Sequence, residues 1–166
     1  MQRTALVTGA DRGLGSALCA GLLARGWRVL AGQYMPDWPE LGALAEQYPD
    51  LLHIIPLDVG STDSVRMAAE RAAALVNRVD LLINNAGVMT GKRLETPDGF
   101  EWTFGVNHLG PFLLTNLLVD LLLADAPSRV ITARPSSGPK RISDISIESA
   151  ARTGSVTEIL FGPLDG

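Results

Sequence analysis

The sequence predicts an α/β chain built on a doubly wound parallel sheet of about five strands, incomplete towards its C-terminus. Three observations carry that expectation. Short apolar runs alternate with stretches of helical period from Ala5 to Ala133. A glycine-rich turn, Thr8-Gly9-Ala10-Asp11-Arg12-Gly13-Leu14-Gly15, joins the first run to the first helical stretch. Beyond Ala133 the alternation stops.

Each element follows from its residues. Ala5-Leu6-Val7 reads as a strand, and Leu14, Leu18 and Leu22 recur every fourth residue behind the glycine turn, so a helix follows. Such a turn brings the free N–H groups of a helix's first residues, and the positive end of its dipole, to the carboxyl edge of the strand, where a phosphate is well held. The glycines serve the backbone: a sharp turn, close approach of a pyrophosphate, and tight packing of helix on strand. Gly26 is placed to end the helix, and Trp27 to Gly32 reads as a second strand. Gln33 to Pro39 holds two prolines and two large aromatics and is a loop; Glu40 to Tyr48 is a short helix.

Leu51 to Val59 gives a third strand. Within it, His53 is a packed or edge residue, because no second ligand-type side chain lies at a matching spacing, and no metal site is expected. Ser61-Thr62-Asp63 supplies cap and first-turn residues for a helix on which Val65, Ala69, Ala72 and Val76 share a face. Asp80 to Asn84 is the fourth strand, followed by a loop to Gly99. A long helix then runs from about Gly99 to Ala124, with Pro111 as a kink or restart. Its leucines, Leu109 to Leu122, offer more apolar surface than one sheet face needs. That fits a buried core helix or one that also packs against a second subunit, so a homo-oligomer through residues 107–124 is one expectation. Val130-Ile131-Thr132-Ala133 closes the series as a fifth strand. Strands alternating with helices imply parallel pairing through right-handed crossovers. The expected division is a nucleotide-binding domain over residues 1–133 and an irregular tail over residues 134–166.

Bulk properties narrow the function. A chain of 166 residues suits a single core. Its net charge of −4 and pI of about 5.1 lack the basic excess that binding to a nucleic-acid backbone requires. The longest apolar stretch, Phe112 to Leu123, is too short to span a bilayer and is interrupted by Thr115, Asn116 and Asp120. The N-terminus reaches its first strand at once, so no secretory signal is expected, and a cytoplasmic location follows. The single cysteine, Cys19, lies inside the first helix and is expected to be a small core residue.

The glycine turn, Asp58 at a strand end, the run Asn84-Asn85-Ala86-Gly87 and the run Val106-Asn107-His108-Leu109-Gly110 occur in the order found in the short-chain dehydrogenase/reductase family, which residues 2–133 resemble. Thr96-Pro97-Asp98-Gly99-Phe100-Glu101 and the residues from Asn107 to Asn116 look similar to its retinol-dehydrogenase-like branch. The resemblance implies a Rossmann-like fold and hydride transfer between a nicotinamide dinucleotide and a small carbonyl or alcohol substrate. It implies that Thr8, Gly9, Arg12, Gly13, Leu14 and Gly15 hold the cofactor pyrophosphate and its surroundings, that Asp58 bonds the adenine with Val59 beside it, and that Asn84, Ala86 and Gly87 line the cofactor. Asn84 and Asn85 are equally readable as turn residues. Asn107 matches the family's active-site asparagine, which holds a water and bends the helix. An acidic residue at the end of the second strand would select NAD; Gln33 stands there and decides little. Arg12 suits a 2′-phosphate, so NADP is expected over NAD.

The resemblance also implies a catalytic Tyr-x-x-x-Lys, and that pattern does not occur: the tyrosines are Tyr34 and Tyr48, the lysines Lys92 and Lys140. The family's Ser-Ser pair closes the fifth strand, whereas here Arg134 and Pro135 precede Ser136-Ser137, which leaves Ser137 a displaced candidate for polarising a carbonyl. A truncated family member is the expectation, with a non-catalytic nucleotide-binding or interaction module, or an inactive fragment, as the alternative.

Overall fold

A computed structural model describes residues 2–124 and 127–133, together with the backbone of 145–150 and 156–157. Four short strands form the centre because their residues are apolar on both faces, the pattern of a parallel sheet covered on two sides. These are β1 (Thr4–Val7), β2 (Arg28–Gln33), β3 (Leu52–Pro56) and β4 (Leu81–Asn84), joined by β5 (Ser128–Ala133). All five run parallel in the order β3-β2-β1-β4-β5, with Leu6 beside Leu30 and Leu82, and Ile83 beside Ile131. Two strands within the tail expected to be irregular, β6 (Ile145–Ala150) and β7 (Val156–Thr157), continue the sheet antiparallel beyond β5.

Neighbouring residues on a strand point to opposite faces, and the core divides accordingly. Leu6, Leu30, Leu82 and Val130 meet α3 (Thr62–Leu75) through Val65, Ala68 and Ala72, and meet the later helices through Leu114, Leu118 and Leu122. Val7, Val29, Ala31 and Ile83 meet α1 (Gly13–Leu23) through Cys19 and Leu23, and α2 (Glu40–Gln47) through Leu41. Each such leucine contributes roughly 1.5–3 kcal/mol by leaving water, so the two layers fix the sheet rather than any single contact. The chain turns outward from β1 to β3 and then crosses back through α3 to β4, so the strand order reverses between β1 and β4. In open α/β sheets a crevice for a ligand lies at that reversal, outside the carboxyl ends of the strands.

Local chemistry moves several boundaries. The third strand stops at Pro56 rather than Val59. Proline has no N–H to pair with, which is tolerated on the outermost parallel strand, and Leu57 makes the last rung by donating to the Gln33 carbonyl at 2.7 Å. The helix expected from Gly99 to Ala124 is four pieces: α4 (Trp102–Phe104), a π-helical turn (Gly105–Leu109), α5 (Gly110–Leu117) and α6 (Val119–Leu123). Pro111 cannot donate to the carbonyl four residues earlier, that of Asn107, and the ladder is in the wider register there, with the Gly110 N–H bonded to the Gly105 carbonyl. A second break falls at Leu118, where φ is −96° and ψ is 4°. Along these pieces Leu114, Leu118 and Leu122 are buried, while Phe112, Leu117 and Leu123 are exposed. Among the described residues no helix is long and apolar enough to cross a membrane.

Candidate functional site

The glycine turn leaves β1 at the strand-order reversal. Gly9 takes φ +60° and Gly13 φ +56°, the left-handed region that glycine enters at little cost. Gly15 is required for proximity: a Cβ there would stand 2.0 Å from the Gly9 carbonyl oxygen and 2.7 Å from Asn85 Nδ2. Gly9 is similarly closed in by Ala86, whereas the space over Gly13 is open. Arg12 is the residue before α1, and its side chain makes no capping bond, so the first-turn N–H groups face the cleft without a side-chain acceptor. Gly9, Arg12, Gly13, Leu14 and Gly15 line a cleft of about 360 Å³. An open cradle over a positive-φ glycine, beside an uncapped helix start, fits a pyrophosphate.

Asp11 and Arg12 act in different directions. The buried Asp11 carboxylate accepts from Tyr34 N–H at 3.0 Å and from Met35 N–H at 3.2 Å, and so pins the loop that follows β2. The exposed Arg12 guanidinium lies over the Trp38 ring, 4.6 Å from its centroid. Tyr34 and Met35 therefore line the cleft, whereas Gln33 is not among its walls; its carbonyl is spent on Leu57.

On the opposite wall, Asp58 and Val59 both line the cleft. Asp58 Oδ1 accepts from Gly60 N–H at 2.8 Å, a turn within its own loop, and its main-chain N–H donates to Ser64 Oγ at 2.9 Å. Its second carboxylate oxygen has no partner among the described residues.

The run after β4 forms the floor. Thr8 is buried, and its hydroxyl accepts from the N–H of Asn85 at 3.0 Å and of Ala86 at 2.9 Å. Asn85 Nδ2 in turn donates to the carbonyls of Thr8 and Gly9, each at 3.0 Å. Thr8 thus positions the floor without being part of it, and Asn85, Ala86, Gly87 and Val88 provide the surface. Asn84 is also outside the cleft: it lines a second cavity of about 280 Å³ against α5 and α6, with Nδ2 donating to Thr115 Oγ1 at 3.3 Å and Oδ1 unpaired among the described residues.

Asn107 sits in the π-helical turn and faces that second cavity. Its side-chain amide bonds Val88 in both directions: Nδ2 donates to the Val88 carbonyl at 2.7 Å, and Oδ1 accepts from Val88 N–H at 2.8 Å. A π-helical turn stands at this residue in place of regular α-helix, and the amide ties that turn to the cleft wall. The exposed His108 stacks on the exposed Phe104, with ring centroids 5.2 Å apart. Ser137 lies outside the described residues.

Several contributors were given no part in the site by the sequence. Trp102 and Val106 complete the cleft, Asp11 holds its rim and Asn85 its floor. Only the Asn84-Asn85 pair carried a signal, since paired asparagines after a strand mark a turn that needs side-chain hydrogen bonds.

A family model described as short chain dehydrogenase matches residues 3–157. Mouse retinol dehydrogenase 14 is 43% identical over 142 residues, covering 78% of this chain and 42% of its own length; human retinol dehydrogenase 13 is 44% identical over 132 residues, covering 78% and 40%. The chain thus spans about two fifths of the length of these curated relatives. Among solved structures, the Pseudomonas aeruginosa RhlG/NADP active-site complex is similar at a TM-score of 0.66 and 34% identity, covering 77% of this chain and 52% of that one. The NADPH-bound carbonyl reductase from chicken fatty liver has a TM-score of 0.63 at 31% identity, covering 73% and 48%.

Proposed function

Because the chain belongs to the short-chain dehydrogenase family, with that family's Rossmann-like parallel sheet, we propose that it binds NADP(H) in the cleft at the β1–β4 reversal. The observation that carries this reading is the open cradle over Gly13, set beside an uncapped helix start and an arginine with no carboxylate partner among the described residues. Gly9, Gly13, Leu14 and Gly15 would present backbone to the pyrophosphate. Arg12 would meet the 2′-phosphate, and the free oxygen of Asp58 would accept from the adenine amino group. Val88, Trp102 and Val106 would exclude water from the inner end. The cofactor, when bound, supplies hydride chemistry towards a carbonyl or alcohol carbon. RhlG and the chicken reductase, similar in structure, are described with NADP and NADPH, which supports this choice over NAD.

Carbonyl reduction or alcohol oxidation is the activity proposed by descent, with a cytoplasmic setting. The residues in hand support the binding half of that chemistry better than the proton transfer. Tyr34 lines the cleft from the loop after β2, and among the described residues no lysine lines it. Calorimetric titration of the purified chain tests the reading: NADPH is expected to bind, with NADH weaker. Absence of binding by both nucleotides would sink it. A second reading, a non-catalytic assembly module, is favoured by the exposed Phe112, Leu117 and Leu123 on one helical region, and a dimer in light scattering that ignores NADPH would support it.

A further inference from the structure

We propose that Trp38 is a specificity-determining positioning residue: its indole holds the Arg12 guanidinium at the mouth of the cleft, so that discrimination of NADP(H) from NAD(H) depends on this aromatic residue as well as on the arginine. The inference rests on the cofactor reading above and deepens it.

Arg12 is exposed at the start of α1, and an arginine in water divides its time among many rotamers, few of which aim at one point. Here it is held. The guanidinium carbon stands 4.6 Å from the centroid of the half-buried Trp38 ring. A ring contact engages the face of the guanidinium and leaves its N–H edges free, and those edges are what a phosphate takes in bidentate fashion. A carboxylate partner would occupy the same edges. The adjacent Asp11 is the obvious competitor, but its oxygens accept from Tyr34 and Met35 N–H, and no carboxylate among the described residues pairs with Arg12. Those bonds also place Trp38, because they pin the start of its loop, which closes when Trp38 N–H meets the Met35 carbonyl at 3.5 Å. Asp11 fixes the loop, the loop carries the indole, and the indole orients the cation.

The test is isothermal titration of NADPH and NADH into the full chain and into Trp38→Ala, Trp38→Leu, Trp38→Phe, Arg12→Ala and the Arg12→Ala/Trp38→Ala double variant, with ligand-free thermal unfolding of each. Trp38→Ala and Trp38→Leu are expected to weaken NADPH about fivefold while leaving NADH unchanged, as loss of an exposed cation–π contact implies. Trp38→Phe, which restores a ring face, should recover most of that loss. With Arg12 already removed, Trp38→Ala should change neither constant. Trp38→Leu keeps bulk in the loop, so it serves where the alanine variant does not fold. Three outcomes overturn the proposal: equal weakening of both nucleotides, no change for NADPH, or the same loss with Arg12 absent. A wild-type chain that shows no NADPH preference overturns the cofactor reading together with it, and that failure is visible before any variant is made.

Discussion

Glu101 shows how one exposed side chain is tuned by the backbone beneath it. Its carboxylate caps α4 by accepting from Thr103 N–H at 3.0 Å and Phe104 N–H at 2.8 Å, and these bonds, aided by the charge of Arg93, hold its pKa below the ordinary 4.5. A carboxylate whose folded pKa is depressed adds stability above the unfolded value and loses it as pH falls through the folded one. Glu101→Gln should therefore lower the urea midpoint slightly at neutral pH, and the difference from wild type should vanish below the carboxylate range. A gap that persists at pH 2 would show that packing, not charge, is responsible. The same reasoning explains why residues such as Asp11 were illegible in the sequence. An aspartate in a glycine turn looks like any turn residue, and its role depends on two N–H groups more than twenty positions away.

At the scale of elements, the junction of the π-helical turn with α5 is the tightest contact that a sequence gives no warning of. A Cβ on Gly110 would lie 2.0 Å from the Val59 carbonyl oxygen, so the helix touches the β3 loop backbone to backbone. Gly42, inside α2, has nothing within reach of its Cβ position. Alanine is the better helix former by up to about 1 kcal/mol, so Gly42→Ala should raise stability by roughly 0.5–1 kcal/mol. Gly110→Ala must overcome the same gain and still lose, by about 1–3 kcal/mol, because backbone cannot step aside as a side chain can. Chemical denaturation of the two variants checks the opposite signs. The strands and the first helices were readable because their periods are strong and their ends carry glycine or Ser61, whose hydroxyl accepts from Ser64 N–H at 3.4 Å. The long helix was not, because a register change at Asn107 and a break at Leu118 leave the spacing of the leucines almost intact.

For the molecule as a whole, the parallel order and the cleft at its reversal follow from the alternation of strands and helices together with the handedness of crossovers. The β6 and β7 pairings do not, since the sequence beyond Ala133 shows no convincing period of two to announce them. Cys19 offers a way to watch this architecture in motion. It is the chain's only cysteine, it is buried between α1 and the sheet, and burial pushes its thiol up to about 12. A maleimide can reach it only when α1 lifts away, so the labelling rate clocks the opening of the helix whose first turn builds the cradle. If nucleotide must leave before that helix can lift, NADPH at about one hundred times its dissociation constant should slow labelling about a hundredfold. Equal rates with and without nucleotide would mean that the helix breathes while the cleft stays occupied. The lone thiol thus serves as an internal stopwatch, started each time the fold loosens and stopped by whatever fills the site.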